Sequence, residues 1–157
     1  MSIDLASFSS AIPSKRTRMK SQIMLANFPS VLCIQLKRFF FDRLSQTPRK
    51  LSTQIAIEPH KILDFSPIHY TTWLGLPMNT ASYRYRLIAV CLHLSRNLSS
   101  SNQTESINGH YVCLYRSDQS RWFLSDDERT TEINQIGNVF QSTFVTDNCY
   151  LLFYERC

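Results

Sequence analysis

The sequence predicts an α+β domain that consists mostly of antiparallel β-sheet. Short apolar or alternating segments separated by turn residues recur along most of the chain, which is typical of strands. Only one stretch has the apolar spacing of an amphipathic helix, and no internal repeat is evident. With 157 residues, 43% hydrophobic and 18% charged, the chain is one globular domain or a large piece of one. The alternation of strand signals with a single helix favours the α+β class.

Strands and turns are assigned in order along the first half of the chain. Residues 31 to 39 alternate between apolar and polar side chains, which predicts a strand that starts just after Pro29. Residues 43 to 50 are polar and are expected to form a turn, and residues 51 to 57 are expected to form a second strand. A long irregular segment is predicted to begin at Ile62.

The second half carries the strongest strand pattern. Residues 83 to 94 are apolar on both faces, so this strand is predicted to lie in the centre of the sheet. Residues 95 to 108 are rich in Ser, Asn, Gln and Thr, which predicts an exposed loop. Residues 131 to 140 are expected to form the short amphipathic helix, and residues 150 to 154 a closing strand.

A histidine and two acids fall at the same end of one predicted β-hairpin. Residues 109 to 116 and 122 to 128 are its arms, and residues 117 to 120 are its turn. If Arg116 pairs with Arg121, His110 lies opposite Asp127. The register shifted by one residue places His110 opposite Asp126 instead and pairs apolar residues across the strands, so it is favoured.

An imidazole beside a carboxylate is the base and orienting group of a nucleophilic site. The simpler interpretation of His110 is a solvated or structurally hydrogen-bonded histidine at a strand end. The hairpin pattern alone leaves both interpretations open, and Gly109 is expected to leave room for the backbone beside the histidine.

Charge and cysteine usage narrow the class of protein. The net charge of +5 has its clearest cluster at residues 15 to 20, which is typical of a solvated face, so no nucleic-acid partner is expected. No signal peptide and no apolar run of membrane-spanning length are evident, so no membrane association is expected. Five widely spaced cysteines favour reduced thiols and a cytoplasmic or nuclear location.

Four ordered motifs resemble the C-terminal half of the catalytic domain of the ubiquitin-specific proteases, which are papain-like cysteine deubiquitinases. They are Pro29–Phe39 (PSVLCIQLKRF), Tyr85–His93 (YRLIAVCLH), Gly109–Tyr111 followed by Trp122, and Tyr150–Arg156 (YLLFYER). The resemblance implies the palm-like part of a papain-like fold, with residues 20–157 as this C-terminal portion. Residues 1–19 lack a clear strand or helix pattern and are expected to form a weakly structured segment. It also implies ubiquitin or ubiquitinated proteins as partners and no cofactor.

The same resemblance assigns roles to individual residues. His110 takes the place of the general base, and Asp126 takes the place of the group that orients it. Gly109, Tyr111 and His93 take places in the substrate-binding cleft, although His93 is equally consistent with a structural strand histidine.

The family's nucleophile motif, Asn-x-x-Asn-Thr-Cys, is absent from the sequence. Cys149 follows an asparagine, but it lies in the predicted closing strand and is not expected to be the nucleophile. No Cys-x-x-Cys pair is present, so no structural zinc is expected. Two hypotheses remain: a deubiquitinase whose missing N-terminal half supplies the nucleophile, or a non-catalytic pseudo-protease that binds ubiquitin.

Overall fold

The computed structural model describes residues 24–76, 83–95 and 109–157. Within these ranges the chain forms nine strands: β1 (Val31–Gln35), β2 (Phe39–Asp42), β3 (Thr47–Lys50), β4 (Ile62–Asp64), β5 (Arg84–Ser95), β6 (Gly109–Arg116), β7 (Trp122–Asp126), β8 (Arg129–Ile133) and β9 (Cys149–Arg156). The helices are a 3₁₀ turn (Ser66–Ile68), α1 (Tyr70–Trp73), α2 (Ile136–Gln141) and α3 (Thr143–Thr146). None of the helices in the described ranges is long and apolar enough to span a bilayer.

One antiparallel sheet carries most of the strands, in the order β1-β9-β5-β6-β7-β8, and β4 pairs with the first residues of β5. β2 and β3 form a separate two-stranded hairpin. The predicted central position of residues 83 to 94 is confirmed, because β5 lies between β9 and β6. The α+β class is likewise confirmed.

A β-bulge explains why β5 is apolar on both faces. Tyr85 and Leu87 are fully buried in its first half, whereas Val90 and Leu92 are fully buried in its second half. The register with β9 shifts between Leu87 and Ala89. Because an extra residue reverses the alternation of side chains, the buried set passes from odd to even positions at that point.

The core packs helices α2 and α3 against the sheet. Phe140 of α2 meets Trp122 of β7 edge to face, with ring centroids 5.2 Å apart, and Val145 of α3 is fully buried. Leu114 of β6 is also fully buried in this cluster. The hairpin that carries the candidate histidine is therefore held from one side by a closely packed apolar core.

Two predictions for the first half are wrong. Within the predicted turn at 43 to 50, Thr47–Lys50 forms β3, which pairs with β2. Residues 51 to 57 form no strand. The Arg38 guanidinium donates hydrogen bonds to the backbone oxygens of Leu51 and Thr53, at 2.8 and 2.9 Å, in place of a neighbouring strand.

Two further predictions are wrong in part. Residues 62 to 64 form β4, and the segment predicted to be irregular contains the 3₁₀ turn and α1. Residues 129 to 133 form β8, which pairs with β7, so the predicted helix begins only at Ile136. The basic cluster at 15 to 20, the segment 1–19 predicted to be weakly structured and residues 96–108 of the loop predicted at 95 to 108 lie outside the described residues, and Ser95 is the last residue of β5.

Candidate active site

His110 on β6 and Asp126 at the end of β7 form a hydrogen-bonded pair between His110 Nε2 and Asp126 Oδ1. Their side chains are 34% and 50% exposed, so solvent and a substrate can reach both. The contact at Nε2 fixes the orientation of the ring, and Nδ1 is the ring nitrogen on the side away from Asp126. This arrangement suits a general base with its orienting group.

Both predicted hairpin registers are wrong. The structure pairs Arg116 with Trp122 and Leu114 with Leu124, which is two residues from the favoured register and one from the alternative. Side chains alternate with a period of two along a strand, so the two-residue shift keeps Asp126 on the face of His110 as a diagonal neighbour. The contact therefore forms although the favoured register is incorrect.

Asp127 lies in the tight turn between β7 and β8, with φ at +50°. Ligand atoms of His110, Asp126 and Asp127 all lie within 4.8 Å of one another, so Asp127 is a second carboxylate close to the imidazole. Exposed groups at this spacing are common without an ion, and the hydrogen bond already engages His110 and Asp126. The cluster gives no reason to assign a metal.

His93 is buried beside Gly109 and Tyr111, the two neighbours of His110 on β6, with 1% of its surface exposed. Its ring meets those of Phe39 and Tyr111 nearly edge on, with both centroid distances at 4.9 Å. A Cβ atom at Gly109 would overlap the His93 ring and the Leu94 backbone oxygen. The room that Gly109 leaves is therefore occupied by His93.

An open aromatic groove of about 390 Å³ adjoins this packing. It is lined by Phe39, Phe40, Pro48, Tyr111 and Tyr150. Tyr111 is 52% exposed, so the residue after His110 presents an aromatic face to solvent. Sequence reasoning found Tyr111 but missed the β2–β3 hairpin residues, for which three consecutive phenylalanines at 39 to 41 were the available indication.

None of the five cysteines is placed to act with His110; all five lie in the described ranges. Cys149 is fully buried, and Arg38 Nη2 donates to its Sγ at 3.2 Å. Cys149 lies opposite Leu92, two strands from β6 and two positions from the register of His110, which corresponds to about 12 Å between Cα atoms. Cys113 lies three residues from His110 and faces the other side of the sheet.

Thiol labelling is expected to follow this placement. Burial raises the pKa of both Cys91 and Cys113, which lie opposite each other, so less of each is thiolate at mildly alkaline pH. In native protein, iodoacetamide should modify exposed Cys33 and Cys157 first, Cys91 and Cys113 more slowly, and Cys149 last. Peptide mass spectrometry measures the order, urea-unfolded protein is the control, and rapid native labelling of Cys149 would contradict its assigned burial.

The fold and the histidine–carboxylate pair define a class, the papain-like α+β peptidases. The sequence profile of the family described as Ubiquitin carboxyl-terminal hydrolase matches residues 7–154, and the chain belongs to that family. It is similar to Ubiquitin carboxyl-terminal hydrolase 23 of Arabidopsis thaliana, with 27% identity over 142 residues, and to Ubiquitin carboxyl-terminal hydrolase 9 of Saccharomyces cerevisiae, with 30% identity over 138 residues. These matches cover 90% and 84% of this chain but 14% and 15% of the two relatives.

Solved structures agree with this assignment. The chain is similar to one in the SAGA Ubp8/Sgf11/Sus1/Sgf73 DUB module bound to ubiquitin aldehyde, with a TM-score of 0.61 and 25% identity over 87% of this chain and 26% of that one. A chain of the same module bound to monoubiquitin gives a TM-score of 0.60 and 26% identity, over 87% and 25% of the two chains. The chain therefore spans about a quarter of these structural relatives.

Proposed function

We propose that this chain is the C-terminal portion of the catalytic domain of a cysteine-type deubiquitinase, which hydrolyses the bond after ubiquitin's terminal glycine. The single observation that carries the proposal is the exposed His110–Asp126 pair, since it provides a base and its orienting group in a chain of this family. The free thiols of the described cysteines are consistent with a cytoplasmic or nuclear location, which we propose with it.

In the proposed reaction, His110 accepts the proton of a cysteine thiol, and the thiolate attacks the carbonyl carbon of ubiquitin's terminal glycine. The imidazolium then gives its proton to the departing lysine amine, and water hydrolyses the thioester. Asp126 stabilises the imidazolium through the hydrogen bond at Nε2 and keeps Nδ1 directed at the reacting groups. Carboxylate and imidazole thus act as one unit.

The nucleophile is proposed to come from a part of the protein outside these 157 residues. The placement of Cys113 and Cys149 supports this, because Cys113 faces the other side of the sheet from His110 and Cys149 lies two strands away from β6. We use "rejoined domain" for this chain fused to a cysteine-bearing N-terminal portion. That portion comes from an in-frame upstream sequence where one exists, and otherwise from the matching part of Ubiquitin carboxyl-terminal hydrolase 23.

The aromatic groove is proposed to hold ubiquitin's extended C-terminal tail. Its rings offer a flat apolar surface against which an extended peptide can lie. Tyr111 lines the groove and is the next residue after His110 on β6, so the groove and the base are carried by adjacent positions of one strand, whose side chains alternate between its two faces. The solved modules that contain the structural relatives are bound to monoubiquitin and to ubiquitin aldehyde, which supports this choice of partner.

The second candidate function is a ubiquitin-binding pseudo-protease. It is favoured by one observation, that no cysteine of the described residues lies beside His110. The transcript upstream of Met1 distinguishes the two. An in-frame Asn-x-x-Asn-Thr-Cys motif supports the enzyme, and a stop codon without such a motif supports the binding module.

The isolated 157-residue chain is expected to show no turnover of ubiquitin-amide reporters, because none of its thiols is placed to attack. Fluorogenic release measured after repeated purification checks this, with Cys149→Ser as the matched variant. Turnover that Cys149→Ser abolishes would show that the buried thiol reaches the substrate, and the assignment of an external nucleophile would be wrong.

In the rejoined domain, Asp126→Ala is expected to reduce kcat/KM more than Asp127→Ala. Asp126 holds the imidazole, and losing a hydrogen bond to a charged partner costs about 1.5–3 kcal/mol. That range corresponds to about 10- to 150-fold in rate. Steady-state kinetics of the two variants decide between the carboxylates, and a larger loss at Asp127 would transfer the orienting role to it.

A further inference from the structure

We propose that Lys50, the last residue of β3, is a positioning residue that fixes His93 and through it the backbone beside His110. The inference rests on the proposed function of His110. Lys50 is 7% exposed, and its ammonium group donates to the His93 backbone oxygen at 2.6 Å. It also donates to Asn148 Oδ1 at 2.8 Å and to Ser95 Oγ at 3.2 Å.

These contacts hold both backbone polar groups of His93. Its N–H donates to the Asn148 backbone oxygen at 2.9 Å, and its oxygen accepts from Lys50. The Asn148 side chain is itself held, because its Nδ2 donates to the Phe144 backbone oxygen at 3.1 Å. The ammonium thus joins the β2–β3 hairpin, the end of β5 and the turn before β9.

The His93 ring transmits this placement to the candidate site. It occupies the space above Gly109, with no room for a Cβ atom, and it packs against Tyr111. Gly109 and Tyr111 are the neighbours of His110 on β6. A displacement of His93 would therefore change both sides of the residue that carries the proposed base.

A buried ammonium often adds no net stability, because the free-energy cost of desolvating the cation exceeds the energy gained from its contacts. Among its acceptors are uncharged oxygens of β5 and of the turn before β9. The Lys50 ammonium therefore fixes the relative orientation of these segments, which apolar packing alone would leave free to shift against one another. The contrast is Arg38, another buried cation, which donates to backbone oxygens at 51, 53, 146 and 149 and not to His93.

The test compares Lys50→Met with Arg38→Met in the rejoined domain, at a temperature where both variants are folded by circular dichroism. Lys50→Met is expected to lower kcat/KM about 10- to 100-fold, mainly through KM, because the His93 ring packs against Phe39 and Tyr111, which line the groove. Arg38→Met should lower the Tm at least as much, because it leaves buried backbone oxygens without their donor, and should leave KM close to that of the parent. Lys61→Met, which removes an exposed ammonium paired with Glu58, controls for lost charge.

A KM change no larger in Lys50→Met than in Arg38→Met would overturn the inference, since Lys50 would then be only structural. If Lys50→Met does not fold, Asn148→Ala removes one acceptor of the ammonium, and an unchanged KM there also overturns it. If the rejoined domain without substitutions is inactive, the proposed function is contradicted instead. In that case the ring signals of selectively labelled His93 in NMR spectra decide, because signals unmoved by Lys50→Met reject the positioning role.

Discussion

Replacing His110 with alanine in the rejoined domain is expected to abolish nearly all turnover. The thiol then loses its proton acceptor and the departing amine loses its donor, and each role of a general acid–base group is typically worth about 10²–10⁴-fold. A loss of about 10³-fold or more in kcat is the expected result, measured with a ubiquitin-amide reporter. Binding of ubiquitin should change little, because the groove residues remain.

The matched control is His60→Ala, which removes an exposed histidine at a distance in sequence from the hairpin. It should leave kcat and KM unchanged. If the rejoined domain is active and His110→Ala turns over as fast as the parent, His110 is not the general base. Loss of ubiquitin binding together with turnover would instead indicate that the variant has lost its local structure.

Gly109→Ala is expected to destabilise the rejoined domain and to impair turnover at the same time. The added methyl group would overlap the His93 ring and the Leu94 backbone oxygen, so β5 and β6 must separate or the ring must leave its place. Overpacking of this kind costs about 1–3 kcal/mol in the free energy of unfolding. Thermal and urea unfolding measure the loss, and reporter kinetics measure the effect on the site.

Gly137→Ala is the matched control, because a Cβ at that position in α2 would meet no atom within 4 Å other than those of its chain neighbours and of the helix backbone. Alanine favours the helix over glycine by about 0.5–1 kcal/mol, so this variant should be slightly stabilised. The free energy of unfolding is therefore expected to fall in Gly109→Ala and to rise slightly in Gly137→Ala. A Gly109→Ala protein as stable as the parent would mean that His93 does not occupy the space that the structure assigns to it.

Several strands could be predicted from the sequence, because the pattern of apolar side chains within each segment is typical of a strand. β5 and β9 are long apolar segments, and their burial on the sheet makes the pattern strong. β8 was missed although Thr130, Thr131 and Ile133 are β-branched, because its strand character depends on pairing with β7 after the turn at Asp127. Residues 51 to 57 resemble a strand, but the Arg38 side chain satisfies part of their backbone instead.

In the candidate site, too, some features could be predicted from the sequence and others could not. His110 and Asp126 could be proposed from the hairpin and the family resemblance, since face alternation tolerates a register error of two residues. The buried environment of His93, the groove formed with the β2–β3 hairpin and the role of Lys50 could not. Each depends on contacts between segments that are more than forty residues apart in the chain.

The sequence by itself determined the α+β class, the family and the residue types of the base and its orienting group. Those properties reside in local patterns of apolar alternation and in short ordered motifs. Only the tertiary structure decided the register of the hairpin, the bulge in β5 and the position of Lys50 under His93. These features are set by backbone hydrogen bonds and packing between distant strands, whose energies depend on the whole sheet and not on any one segment.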